Sequence, residues 1–189
     1  MPSILGWWLD YKKAHSTTRV PRPLMRERWK KPSMGFIKLN TDAAFQVSDG
    51  STGLGGIFRD HEGNCLGCFS KFQVSSSSPI HAELLALLEG VQIAYSKSLS
   101  PLVIETDCQS IVEAVYKGSL DHSDIGFLLT DLRWGLQLLA AAQLRFVRRQ
   151  ANVVAHNLAK LAIQSSSSIA FSSVPPPSVV EFIIDDCND

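Results

Sequence analysis

The chain has no run of 18 or more apolar residues, which excludes a membrane-spanning helix of ordinary length. It has no leader-like apolar run either, because Asp10, Lys12 and Lys13 follow Trp7 and Trp8 at once. Cysteine is sparse. Cys65 and Cys68 form a C-x-x-C, but no second pair exists to complete a four-ligand zinc site. The pair lies in Asn64–Phe69, which reads as a strand, and residues three apart on a strand point to opposite faces. They read as ordinary reduced thiols, in keeping with an intracellular protein. Gly53, Gly55 and Gly56 lack the Gly-Lys-Ser/Thr that would make a phosphate loop. Glycines in a strand more often mark a bulge or the close approach of another backbone. Net charge is absent only in sum: residues 1–31 carry eight Lys/Arg against two acids, residues 32–189 ten against sixteen. A basic arm thus precedes an acidic body. The arm reads either as a phosphate-contacting segment or, more plainly, as a solvated linker.

What is present fits one domain with flanks: 189 residues, 45% of them hydrophobic. Residues 1–34, with Pro21, Pro23 and Pro32, read as a basic linker or the remnant of an upstream unit. Alternation predicts strands over residues 35–45, 53–60 and 65–72, separated by turns at Asp49-Gly50 and His61–Asn64. A helix is expected from Pro79 to about Tyr95, with Leu84, Leu87, Leu88 and Val91 at helical spacing. A strand at 102–106, helices at 108–117 and 124–139, a strand at 143–148 and a helix at 151–163 follow. The order βββαβααβα implies an α/β domain over 35–163 with a mixed sheet. Residues 164–189 hold a serine run, Pro175–Pro177 and an acidic end, and are expected to be extended. A short docked strand through Val179, Val180, Phe182, Ile183 and Ile184 is the alternative there.

Three carboxylates stand at the ends of elements that otherwise read as core. Asp42 ends Phe36–Asp42, Glu83 opens the helical run His81–Glu89, and Asp107 closes Leu102–Asp107. Paired divalent cations need several oxygen ligands from a rigid frame, and two strands and a helix each deliver one here. Singly, each has a plain structural reading. Asp42 could cap a turn, Glu83 could be a first-turn acid favoured by the helix dipole, and Asp107 could cap the helix that follows it. Jointly they favour a metal site. Glu105 shares a strand face with Asp107 and is either a spare ligand or an edge charge. His81 and His122 read as surface residues. Arg148 and Arg149 either contact phosphate or form a solvated strand end.

Five segments, in this order, carry a resemblance: Lys38–Ala44, Gly53–Asp60 with Gly63 beyond it, His81–Ala86, Ile104–Cys108 and Val147–Lys160. Together they resemble the ribonuclease H fold and, more narrowly, plant ribonuclease H-like domains derived from non-LTR retroelements. The likeness spans roughly residues 32–163. It implies a five-stranded mixed sheet, an antiparallel three-strand meander plus two parallel strands, flanked by helices. It also implies Mg²⁺ (or Mn²⁺) held by Asp42, Glu83 and Asp107, and cleavage of the RNA strand of an RNA/DNA hybrid read by shape and 2′-hydroxyl. Nucleic-acid contacts are expected from Arg148, Arg149 and Asn152. The chain departs from the family pattern at His156, which stands where the closing Asn-x-x-Ala-Asp signature has its acid. Imidazole suits Mn²⁺ or Zn²⁺ better than Mg²⁺. The leading expectation is therefore a ribonuclease H-type endonuclease of weak activity. A catalytically silent nucleic-acid-binding module is the alternative, and a protein-interaction scaffold the third reading. An intracellular site, cytosol or nucleus, and no membrane association are expected; nothing in the sequence bears on oligomeric state.

Overall fold

The computed structural model describes residues 27–74, 76–117 and 124–187. Residues 1–26 of the basic arm, and His122, lie outside the described residues. The elements follow the predicted order: β1 (Ile37–Phe45), β2 (Ser51–Arg59), β3 (Cys65–Val74), α1 (Pro79–Ser96), β4 (Leu102–Thr106), α2 (Gln109–Lys117), α3 (Asp124–Leu138), β5 (Gln143–Phe146) and α4 (Val153–Ser165). Two more lie in the tail, β6 (Ile169–Ser172) and α5 (Pro177–Cys187). The sheet order is β5-β4-β1-β2-β3-β6. The meander β1-β2-β3 is antiparallel, as is β3–β6, while β1–β4 and β4–β5 are parallel. The fold is the expected mixed α/β one, with six strands instead of five. No described helix is long and apolar enough to cross a membrane.

Alternation along β1 divides its side chains between two layers. Leu39 joins the main core, where Leu54, Phe58, Phe69 and Ile104 from the sheet meet Leu84, Leu87, Ile111 and Leu132 from the helices. Lys38, Asn40 and Asp42 face the opposite side, which α4 covers in part. The glycines of β2 explain how closely α4 sits. A Cβ at Gly53 or Gly55 would come closer than 3.0 Å to backbone atoms of Ala155, Leu158 or Ala159. These glycines therefore serve the close backbone approach expected of them. That approach fixes α4, and with it His156, against the strand that carries Asp42.

Two expectations are corrected. The tail is not extended: Ile169–Ser172 pairs with β3, and residues 177–187 form a helix with Val179 fully buried. Val179, Phe182 and Ile183 recur at helical, not strand, spacing, and Pro177 begins the helix. They close a second apolar cluster with Ile57, Cys68, Val154 and Leu158. Nor do Cys65 and Cys68 point to opposite faces. Phe58 pairs with Gly67 but Arg59 with Cys65, so Leu66 is an extra, bulged residue. The bulge shifts the alternation and turns both thiols to this second cluster. Both remain free.

The described part of the arm is anchored. Trp29 is 3% exposed, donates its indole N–H to Asn40 Oδ1 (2.8 Å) and lies 3.5 Å under the Arg59 guanidinium.

Candidate active site

Asp42 sits near the carboxyl end of β1, 3% exposed, on the face toward α4. Strand and helix are tied beside it, because buried Asn152 donates Nδ2–H to the Thr41 carbonyl (2.8 Å). Glu83 comes from the second turn of α1, whose start is set by Pro79 and by Ser78 Oγ accepting from His81 N–H. Asp107 follows β4. The turn there is held by Thr106, whose Oγ1 accepts from Cys108 N–H (3.1 Å), so Thr106 rather than Asp107 supplies that bond. Ligand oxygens of Asp42, Glu83 and Asp107 all lie within 4.8 Å of one another.

Three carboxylates this close repel one another, and burial adds to the cost of charging them. Burial first, then the charges of Asp42 and Asp107, push the Glu83 carboxyl up to about 9. Burial and Asp42 push Asp107 up to about 6, with Arg149 working against the rise. Glu83 Oε2 is buried with no hydrogen-bond partner. A buried, unpartnered carboxylate oxygen on one of three clustered carboxylates belongs to a donor set that a hard divalent cation satisfies. The residues fit such an ion.

His156 reaches this cluster through Asp42: its Nδ1 lies 2.6 Å from Asp42 Oδ2. Arg149 Nη2 is 3.1 and 3.0 Å from the two ring nitrogens. Near-equal distances of that size put Nη2 over the ring face, since an in-plane approach would collide with the carbon between the nitrogens. The fourth position thus holds His156, with Arg149 Nη2 over its ring, bonded to the central acid.

The other expected site residues divide clearly. Arg148 is exposed and lies 3.4 Å from Glu27. Asn152, expected to touch nucleic acid, is 1% exposed and is spent on tying α4 to β1. Glu105 is no spare ligand: Oε1 pairs with Lys38 (2.6 Å) and Oε2 accepts from Asn40 (3.0 Å). Sequence reading missed the polar layer to which Glu105 belongs. One rung below the acids, Asn40 Oδ1 also accepts from Arg59 Nη2 (3.1 Å), and Arg59 Nη1 meets Asp186 (2.8 Å). The available signal was that Asn40 and Glu105 precede Asp42 and Asp107 by two residues, and so share their faces.

Sheet order, helix placement and the acid trio define a ribonuclease H-like protein. The chain belongs to the reverse transcriptase-like family, which it matches over residues 40–162. It is 30% identical over 175 residues to an Arabidopsis thaliana protein that carries a provisional ribonuclease H name. The match covers 90% of this chain and 28% of that longer protein. Among solved structures it is similar to ribonuclease H1 of the archaeon Halobacterium salinarum, with 17% identity, a TM-score of 0.63, and 70% of this chain and 100% of that chain covered. It is also similar to the LC11 ribonuclease H1 isolated from compost, solved with an RNA/DNA hybrid, with 18% identity, a TM-score of 0.62, and 69% and 98% covered. At these identities the structures establish the shared fold.

Proposed function

We propose that this chain is a divalent-cation-dependent ribonuclease H-type hydrolase that cuts the RNA strand of RNA/DNA hybrids, with low activity. The convergence of Asp42, Glu83 and Asp107 around one point carries the reading. Mg²⁺ or Mn²⁺ at such a site supplies Lewis-acid polarisation of the phosphoryl oxygens and activation of water. The protein's part is to place the three carboxylates on rigid elements. Asp42 is central because it touches both the acid cluster and His156. Glu83 holds a proton until a cation displaces it. Arg149 adds positive charge beside the position where phosphate would enter.

The His–Arg pair motivates the second reading. Bonded to Asp42 at 2.6 Å, His156 takes up an oxygen that would otherwise be available to a cation. This favours weak turnover, and in the limit a module that binds hybrid without cutting it. Purified chain incubated with a labelled hybrid, in Mg²⁺ and separately in Mn²⁺, decides between them. Cleavage that disappears in Asp42→Asn protein of unchanged circular dichroism supports the hydrolase. Binding without cleavage in either metal transfers the reading to the binding module. The predicted site in the cell is the nucleus or cytosol, where such hybrids occur.

A further inference from the structure

Beside the acids, on the same face of the sheet, lies a cleft of about 360 Å³ that the reading above does not use. Its floor is made by β1, β4 and β5 and one wall by the segment preceding β1. Arg28, Lys30, Lys31, Lys38 and Arg145 line it against two carboxylates, Glu27 and Glu105. Glu105 is already paired with Lys38, and Glu27 lies 3.4 Å from Arg148. Setting aside Arg28, whose charge acts on Asp186, and the paired Lys38, the cleft still carries Lys30, Lys31 and Arg145, in a body whose residues 32–189 carry more acids than bases. The register places this charge relative to the acids. Asn40 pairs with Glu105 and Glu105 with Arg145, so Arg145 stands one rung below Asp107 on the acids' face. Lys38, on the same face, stands two rungs below Asp42. At about 3.3 Å per residue, the cleft extends from roughly 7 to 13 Å from the acids. Between cleft and acids, Arg148 and Arg149 are exposed.

We propose that this cleft holds the sugar-phosphate backbone of the nucleic-acid strand that continues from the acid site, with Lys30 and Arg145 as phosphate contacts. The inference rests on the nucleic-acid part of the function proposed above, not on cleavage. One strand advances about 3.4 Å per nucleotide along a duplex axis, so the cleft lies two to four nucleotides from the acids. Pro32, Phe36 and Val147 give it apolar walls suited to sugar rings. The contacts are to phosphate, so the cleft adds affinity without sequence preference.

The test is the salt dependence of hybrid binding by fluorescence anisotropy, on two unrelated sequences. It is run with divalent cations chelated and again in Mg²⁺ with Asp42→Asn protein. The double variant Lys30→Glu/Arg145→Glu is compared with its parent and with Lys160→Glu, an exposed cation on α4 outside the cleft. Both cleft side chains are exposed, so the fold is retained, and thermal melting checks this. The expected result is about tenfold weaker binding on both sequences, a slope of log K against log salt reduced by about 2, and no comparable change in Lys160→Glu. Unchanged binding, an equal loss in Lys160→Glu, or no hybrid binding by the parent in either condition overturns the cleft. Hybrid binding without cleavage by the unmodified chain would instead sink the hydrolase reading and leave this inference to stand on its own slopes.

Discussion

At the residue scale the site is organised around charge that the fold alone does not neutralise. Glu83, held up to about 9 from an ordinary 4.5, keeps its proton in the folded protein at pH values where the unfolded chain has lost it. The folded state then binds more protons than the unfolded one, so stability falls as pH rises from 4.5 toward 9 and levels off above. Asp107, raised to about 6 from 3.8, acts in the same direction over its lower window. With divalent ions chelated, melting temperatures should therefore decline with pH more steeply for the unmodified chain than for Glu83→Gln. Added Mn²⁺ should recover the loss with release of protons; parallel melting curves for the two proteins would show that Glu83 titrates normally. On the proposed function, His156 is the residue that sets the metal preference. Replacing it with Asp substitutes a hard oxygen for the imidazole bonded to Asp42, and Mg²⁺ gains more from that than Mn²⁺ does. His156→Asp should raise the Mg²⁺/Mn²⁺ ratio of cleavage rates, and an unchanged ratio in folded protein would remove His156 from the ligand position. The acids could be found in the sequence because charge has no packing role in elements that otherwise read as core. Arg59 could not, since its carboxylate partner is 127 residues away and only the folded sheet brings them together.

At the scale of elements, the site depends on how near α4 comes to the sheet. Gly53 and Gly55 leave no space for a side chain, and what a Cβ would strike is helix backbone, which cannot rotate away. Gly55→Ala should cost about 3 kcal/mol or more of stability. It should also displace His156 and Arg149 from Asp42, lowering hybrid cleavage beyond what the stability loss explains. Melting and activity measured well below the melting temperature separate the two effects. The glycines stand out in the sequence as an anomaly in a strand, and the close approach of the helix backbone is their physical reason. The bulge at Leu66 was not visible, because an extra residue in one strand changes only the pairing with its neighbour. The tail helix left a faint trace: Val179, Phe182 and Ile183 already had helical spacing, but serines and prolines before them hid it.

At the scale of the whole molecule, the matched segment 40–162 is not where the fold ends. Residues on both flanks close it. Trp29 from the upstream side lies against Arg59, and Asp186 from the downstream side supplies the carboxylate that the Arg59 guanidinium meets. The Arg59 side chain is 1% exposed and that of Asp186 11%, so this is an ion pair taken out of water. Removing one partner of such a pair leaves a buried charge uncompensated, at a cost of about 3 kcal/mol or more. Asp186→Ala should lower stability by that amount. Because Arg59 also donates to Asn40, one rung below Asp42, it should weaken Mn²⁺ binding as well. Deleting residues 168–189 goes further. It removes β6 and α5, strips the edge of β3, and exposes Ile57, Cys68, Val154 and Leu158 along with the unpaired Arg59. An uncovered apolar face beside a freed sheet edge favours association between chains. The truncated protein should therefore melt lower than Asp186→Ala and sediment as aggregates. A monomeric truncation with the parent's melting temperature would show that the flanks are appended to a self-sufficient domain.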